Sequence, residues 1–297
     1  MTRRNTPRLT FIGFGEAGQA MAAGLREEGI EQIAAWDILF PVSEGEQLRR
    51  AGERIGVRVA SSAADAVRGS DIIISAVTAA SSFEAAQSVA PHLAGNPFYL
   101  DVNSVSPGRK QATAKLLGDR ARYVDVAILS PIYPARHQSP MLLSGPHVGA
   151  AGPILAALAM KSSDAGPDTG AAAAIKMIRS VMIKGIEALT LECFVAAARA
   201  GVIDQVADSM RNNYPTLDWN KVIAYNLERM ASHGERRAAE MEEVAETLRE
   251  LGIDPQMVTA TVRRQREMGA IGKMPAVRDT LKESHSVMLD AISAASK

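Results

Sequence analysis

Three glycines at 13, 15 and 18, an acid at 37 and a lysine at 176 are the residues whose types and spacing could do chemistry. The stretch FIGFGEAGQ sets the glycines as G-x-G-x-x-G, directly after the apolar run Leu9-Thr10-Phe11-Ile12. In such a loop Gly13 permits a tight turn and Gly15 lets the backbone approach a pyrophosphate. Gly18 lets the next helix pack close to the strand. The pyrophosphate then rests on free N–H groups at the positive end of that helix, which adds Phe14, Glu16 and Ala17 as contacts. Asp37 closes the second apolar run about 20 residues later, where a carboxylate meets the adenosine ribose and repels a 2′-phosphate. Ile38-Leu39-Phe40 bring no arginine, so NAD is expected rather than NADP. Without a ligand, the same residues would make a tight strand–helix connection, with Asp37 capping a turn.

The second candidate lies in AAAAIKMIRSVMIKGIEALTL, residues 171–191. Its polar side chains, Lys176, Arg179, Ser180, Lys184, Glu187 and Thr190, recur at spacings of three and four and so share one helical stripe. All else is apolar, which predicts a helix buried on most of its circumference, its charged stripe facing solvent or a wet cleft. Lys176 sits near the helix start, where Asp168 or Thr169 can cap. Partial burial and the positive helix end both disfavour the ammonium, as suits a lysine exchanging a proton near neutrality. On residue types alone, a surface lysine with a snorkelling stem is the commoner outcome.

The elements that must position these residues change character along the chain. The first half alternates short apolar runs with alanine-rich helical segments. Strands are predicted at 9–12, 33–36, 57–60, 71–77, 98–102, 123–129 and 141–144. Helices are predicted at 18–28, 44–54, 63–68, 82–90 and 109–117. Runs such as IIISAV are apolar without alternation, as in a sheet covered on both faces. This order predicts an α/β fold with a Rossmann-type, doubly wound, mostly parallel sheet. Beyond Gly166-Pro167 the chain reads as helix, first over 169–200 and then over 219–251, where Gly252 and Pro255 signal a stop. Two domains are expected, 1–163 and an all-α domain at 164–297.

By the topological rule, the loops after the strands face the cofactor cleft. Val77 and Thr78 are expected to touch the cofactor. Asn103 and Ser104 are placed to bond its ribose or a substrate carboxylate, and Ser130 lies in the next such loop. Each is equally an ordinary turn residue. Arg136 and His137 lie in the proline-rich loop PIYPARHQSP, where a cation could hold a substrate acid group or simply be solvated. On the second long helical segment, Met241, Val244, Leu248 and Leu251 form an apolar seam. Arg237, Glu240 and Glu243 lie off it, on what reads as a solvated face. Cys193 reads as core. No His, Cys and Asp grouping has metal-ligand spacing, so no metal is expected.

The totals narrow the class. Of 297 residues, 33 are basic and 33 acidic, which argues against nucleic acid or an anionic membrane as partner. At 47% apolar and 22% charged, the composition is that of a globular protein with a sizeable core. The single cysteine allows no intrachain disulfide, and the basic opening MTRRNTPR lacks a signal-peptide apolar region, so a cytoplasmic location is expected. Residues 171–191 carry too many charges for a membrane span.

Four stretches, in order, resemble the β-hydroxyacid dehydrogenase superfamily, which includes 3-hydroxyisobutyrate and 6-phosphogluconate dehydrogenases. Residues 13–25, GFGEAGQAMAAGL, are similar to its nucleotide loop, with Ala17 where a methionine is usual. Residues 101–107, DVNSVSP, resemble its D-x-S-T-x-S-P loop, with Asn103 at the serine. Residues 124–130, VDVAILS, resemble its D-A-P-V-S substrate segment, followed here by Pro131-Ile132 in place of Gly-Gly. Residues 170–180 resemble its interdomain helix, with Lys176 at the lysine and Ser180 at an asparagine. The helical tail is similar to a poorly described phosphogluconate-dehydrogenase-like branch.

The resemblance implies hydride transfer between NAD(P) and a small hydroxy acid, of the 3-hydroxy class, with Lys176 as proton-transfer residue. It adds Ser180 to the substrate contacts. It also implies a homodimer built by the helical domain, with His233 reaching a substrate. Two other readings stand beside it. One is an imine reductase on the same scaffold, for which Lys176 would be dispensable. The other is a non-catalytic dinucleotide sensor or assembly protein, which Ser180, Pro131 and Ile132 keep open.

Overall fold

The computed structural model describes residues 6–296; Met1–Asn5, which begin the basic opening, and Lys297 lie outside the described residues. Most strands form where β-prone apolar residues run together and stop at turn formers. The strands are β1 (Leu9–Ile12), β2 (Ile33–Trp36), β3 (Arg58–Val59), β4 (Ile72–Ser75), β5 (Phe98–Asp101), β6 (Arg122–Ile128), β7 (Met141–Ser144) and β8 (Ser162–Asp164). Helices α1 (Glu16–Glu27), α2 (Glu46–Ile55), α3 (Ala63–Val67), α4 (Ser82–Val89), α5 (Pro107–Leu117) and α6 (Val148–Ala157) lie among them. Then come α7 (Ala171–Ala200), α8 (Ile203–Arg211), α9 (Trp219–Glu250), α10 (Gln256–Ile271), α11 (Pro275–Arg278) and α12 (His285–Ala295).

The eight strands make one sheet in the order β3-β2-β1-β4-β5-β6-β7-β8. Among the described residues the β6–β7 pairing alone is antiparallel, so β7 and β8 run opposite to the other six strands. The fold is thus α/β, doubly wound and mostly parallel, followed by an all-helical region. Two elements escaped the sequence reading. Helix α6 contains Pro153 together with Gly149 and Gly152, poor helix formers all. Strand β8, Ser-Ser-Asp, has no apolar run because it is a sheet edge, held by backbone pairing to Met141–Leu143.

Contacts divide the chain into two compact units that meet at Lys176 and Met177, within α7. The change of sequence pattern at 163/164 comes earlier and cuts through β8. In the first unit one face of the sheet buries Phe11, Phe14, Ile74, Leu100 and Val124 with Met21, Leu25 and Leu155. The other buries Ile12, Ile73, Tyr99 and Tyr123 with Val67, Val89 and Leu117. In the second unit Phe194, Trp219, Ile223, Leu227 and Leu289 form one core, and Met241, Val244, Val258 and Val262 another.

Helix α7 is buried on the side opposite to expectation. Ser180, Lys184, Glu187 and Thr190 are all under 9% exposed, whereas Ile178, Met182, Ile183, Ile186 and Leu189 are 41–64% exposed. The polar stripe is buried because α9 and α10 supply partners: Glu240 for Lys184, Arg237 and Gln265 for Glu187, Asn226 for Thr190. Buried charge is tolerated when paired in this way. Two readings change with it. Arg237 is buried against Glu187 and is not on a solvated face. Cys193 is exposed and is not core, since it lies off the polar face that α7 buries. Leu251 also departs from the α9 seam and is exposed.

Candidate active site

The glycine loop carries out three different tasks. Gly13 has φ +90°, and a Cβ there would stand 2.4 Å from Ala76 O and 2.6 Å from Val77 Cγ1. It lets β1 turn hard against the end of β4. A Cβ on Gly18 would meet Gly13 O at 2.6 Å, so this glycine sets the closeness of α1 to the loop. Gly15 differs: it is exposed and nothing lies within 4 Å of the Cβ position. It is the N-cap of α1, and no side chain caps that end. The helix therefore starts at Glu16, two residues ahead of the expected Gly18.

Asp37 bridges the loop to β2. Its Oδ2 accepts from the Phe14 N–H at 2.7 Å and its Oδ1 from the Leu39 N–H at 3.0 Å. The carboxylate both braces the loop and caps its own turn. The Phe14 N–H thus goes to Asp37, and its ring is buried against Phe40 with centroids 6.1 Å apart. Gln19, which the sequence reading passed over, closes the loop from the helix side by donating to Phe14 O at 2.9 Å. Glu16 is exposed on the first turn of α1, with half-buried Ala17 behind it.

From this loop a continuous row of contacts crosses the carboxyl ends of the strands. Val77 lies against Gly13 and donates its N–H to Asn103 Oδ1 at 2.7 Å. Asn103 Nδ2 donates to Ser75 Oγ at 3.0 Å and to Asp101 Oδ1 at 2.8 Å. At 4% exposure and engaged on both sides, the Asn103 amide braces β4 to β5. Its side chain is thus engaged within the protein. The next residue, Ser104, is half-buried, and its Oγ accepts from Lys176 Nζ at 2.6 Å. Lys176 is thus brought into the same row as the glycine loop. Thr78 is exposed, with its hydroxyl on Ser81.

Beneath this row lies another that the sequence reading missed. The register aligns Ser75 with Asp101, Asp101 with Asp125, and Asp125 with Ser144. Four polar residues thus stand side by side, one per strand, all buried. Lys110 of α5, 1% exposed, reaches both carboxylates, at 3.1 Å from Asp101 and 3.3 Å from Asp125. Tyr123 donates to Asp101 Oδ2 at 2.8 Å. Burial first, then the charges of Asp101 and Asp125, push its phenol well above the usual range, so it remains a donor. Asp125 and Ser144 cap α7: Ala173 N–H donates to Asp125 Oδ2 and Ala172 N–H to Ser144 Oγ, each at 3.0 Å. These long-range acceptors take the place expected of Asp168 or Thr169. The signal was a lone charge inside apolar strands, FYLD and YVDVAI, where an unpaired acid would not be buried.

The proline-rich loop folds onto the carboxyl half of α1. Arg136 pairs with Glu27, Gln138 donates to Glu28, and His137 packs where a Cβ on Gly24 would lie. Gly24 is nine residues along α1 from Gly15, roughly 13 Å at 1.5 Å per residue. His137, 2% exposed, is a side chain packed against α1. Arg136 likewise pairs within the protein. Ser130 is exposed, its hydroxyl donating to Pro131 O at 3.3 Å. Ser180, buried, and His233, half-buried on α9, belong to the second unit. Among the described residues, no group of three or more His, Cys, Asp or Glu could hold a metal ion, and no helix is long and apolar enough to cross a membrane.

Residues 8–104 match the family model described as NADP oxidoreductase, coenzyme F420-dependent, and residues 197–268 match a domain of unknown function, DUF1932. A conserved hypothetical protein from Sinorhizobium meliloti 1021 is 32% identical, covering 98% of this chain and 97% of its own, with a TM-score of 0.79. A conserved protein of unknown function, described as structurally similar to 3-hydroxyacid dehydrogenases, is 28% identical over 89% of this chain and 97% of its own, with a TM-score of 0.72. The 3-hydroxyisobutyrate dehydrogenase of Mycobacterium tuberculosis shares the fold at 16% identity, covering 96% of this chain and 98% of its own, with a TM-score of 0.75. The chain belongs to the β-hydroxyacid dehydrogenase-like superfamily.

For a member of that superfamily the loop residues fit a nicotinamide dinucleotide. The open Cβ position of Gly15 leaves room for a pyrophosphate against the backbone. The uncapped start of α1 offers N–H groups and a positive dipole end to it. Asp37 stands at the end of β2, where a ribose would be met.

Proposed function

We propose that this protein is an NAD(P)-dependent dehydrogenase or reductase of small hydroxy acids, of the 3-hydroxy class, with Lys176 as the proton-transfer residue. The observation that carries the reading is the contact of Lys176 with Ser104, at the end of a row of contacts that starts from the glycine loop and runs through Val77 and Asn103. When bound, the dinucleotide supplies the hydride acceptor or donor. The chain supplies the rest. Gly15 and the first turn of α1 hold the pyrophosphate, and Asp37, near a 2′-hydroxyl and repelling a 2′-phosphate, favours NAD. Lys176 Nζ takes the proton of a substrate hydroxyl on oxidation and returns it on reduction. Ser104 Oγ accepts a hydrogen bond from Lys176 Nζ and so fixes the direction in which the amine points. Residues 1–163 serve the cofactor, and 164–297 serve substrate binding and dimerisation. A homodimer is supported by the exposed apolar face of α7, which a second copy would cover.

The test is to titrate the protein with NADH and NADPH by fluorescence, then assay a panel of hydroxy acids. NADH binding with turnover of a 3-hydroxy acid, and loss of that turnover in Lys176→Ala with NADH binding kept, is the expected result. Binding without oxidation of any acid would mark a dinucleotide sensor. Imine reduction that survives Lys176→Ala would mark an imine reductase.

A further inference from the structure

We propose that Asp101, Lys110 and Asp125 form a buried positioning triad that sets Lys176 against Ser104, and so governs proton transfer without touching substrate. The proposal rests on the reading of Lys176 given above. It starts from the cost of the arrangement. Three charges, each no more than 1% exposed, leave a net negative charge inside the fold. Burying such groups costs more than their mutual attraction returns unless geometry and further hydrogen bonds compensate, and an apolar trio would often hold the fold as well. What the triad supplies is connection between parts of the chain that must agree in position.

Each carboxylate controls one side of the Lys176–Ser104 contact. Asp101 Oδ1 accepts from both the backbone N–H of Asn103, at 3.0 Å, and its Nδ2, at 2.8 Å. It therefore fixes the loop in which Ser104 is the next residue. Asp125 Oδ2 accepts from Ala173 N–H at 3.0 Å, and Ser144 Oγ, itself donating to Asp125 Oδ2 at 3.0 Å, accepts from Ala172 N–H. These groups fix the first turn of α7, and Lys176 follows Ala173 by three residues, on the same side of the helix. The positive end of α7 also offsets the residual negative charge. Lys110 joins the two halves. Its ammonium donates to Asp101 O at 2.6 Å and faces one oxygen of each carboxylate. All the residues concerned lie in the first unit.

The experiment compares Asp125→Asn and Ser144→Ala with the parent protein. Asp125→Asn keeps the shape and removes the charge that pairs with Lys110; Ser144→Ala is the milder break should Asp125→Asn not fold. Two readouts are taken: steady-state turnover, and the pH dependence of Lys176 acetylation by acetic anhydride, followed by peptide mass spectrometry. Asp125→Asn should lower kcat on the order of 100-fold, the cost of a misplaced reacting group, with KM and NADH affinity within about twofold. Ser144→Ala should lower kcat by about 10-fold. In both, Lys176 should acetylate faster and with a shifted pH midpoint, which a merely structural role would not move. Folded variants with unchanged kcat and an unchanged labelling profile would overturn the triad. Should the parent protein oxidise nothing, the functional reading falls by itself. The labelling profile then decides the triad, an unchanged one overturning it.

Discussion

Lys176 Nζ donates to Ser104 Oγ across 2.6 Å, although 72 residues separate the two in the chain. Ser104 is the acceptor that orients the amine. Ser104→Ala removes that acceptor and little else, so kcat should fall by about 10-fold, the worth of one hydrogen bond to a charged group. NADH affinity should not change. Steady-state kinetics beside a fluorescence titration separate the outcomes, and a loss of NADH affinity in place of kcat would move Ser104 from the amine to the cofactor.

The glycines of the loop should separate into binding and folding residues. Gly15 has φ −72°, and no atom lies near its Cβ position, so Gly15→Ala should fold normally and weaken NADH binding by about 10-fold or more. A Cβ on Gly18 would stand 2.6 Å from Gly13 O, so Gly18→Ala should lower stability by about 1–3 kcal/mol. Urea unfolding beside NADH titration reads both. A Gly15→Ala protein that binds NADH as tightly as the parent would remove the pyrophosphate from this loop.

His137 gives stability an acid limb. It is 2% exposed, and burial, the leading cause, holds its imidazole below the usual histidine range. Its Nε2 is 3.5 Å from Glu28 Oε1, which opposes that shift, and neither ring nitrogen has a hydrogen-bond partner. The folded state therefore takes up its proton at lower pH than the unfolded chain. Stability is complete above about pH 6.5 and declines as pH falls below it, by at most about 1.4 kcal/mol per pH unit for one proton. His137→Leu should flatten the curve between pH 7 and 5. An unaltered slope in urea unfolding would assign the limb to other groups.

The exposed face of α7 should hold two copies together. Ile183 and Ile186 are 45% and 41% exposed among other apolar residues of that face. A charge placed there should oppose association, so Ile183→Asp should shift the protein from dimer to monomer in light scattering, with helix content unchanged by circular dichroism. A parent protein that is monomeric at all concentrations would leave this face to another partner.

Much of the fold was legible because it depends on local patterns. β1, β2 and β7 fall at the expected residues, and the glycine spacing announced the loop that joins β1 to α1. The β8 edge escaped because its partner is backbone, and α6 because proline and glycine disguise it. In the candidate site, the close packing of Gly13 and Gly18 was readable from spacing. Asn103 as a brace and His137 as a packed side chain were not, since both follow from neighbours far away in sequence.

The sequence by itself determined the alternation of strand and helix, the glycine loop and the helical second half. These rest on interactions between residues a few positions apart. Only the tertiary structure decided which face of α7 is buried. The spacing of its polar residues is the same whether that stripe meets water or the buried partners Arg237, Asn226, Glu240 and Gln265. It alone brought Asp101, Lys110 and Asp125 together, because strand register and helix docking, set by packing across the whole sheet, decide which distant charges meet.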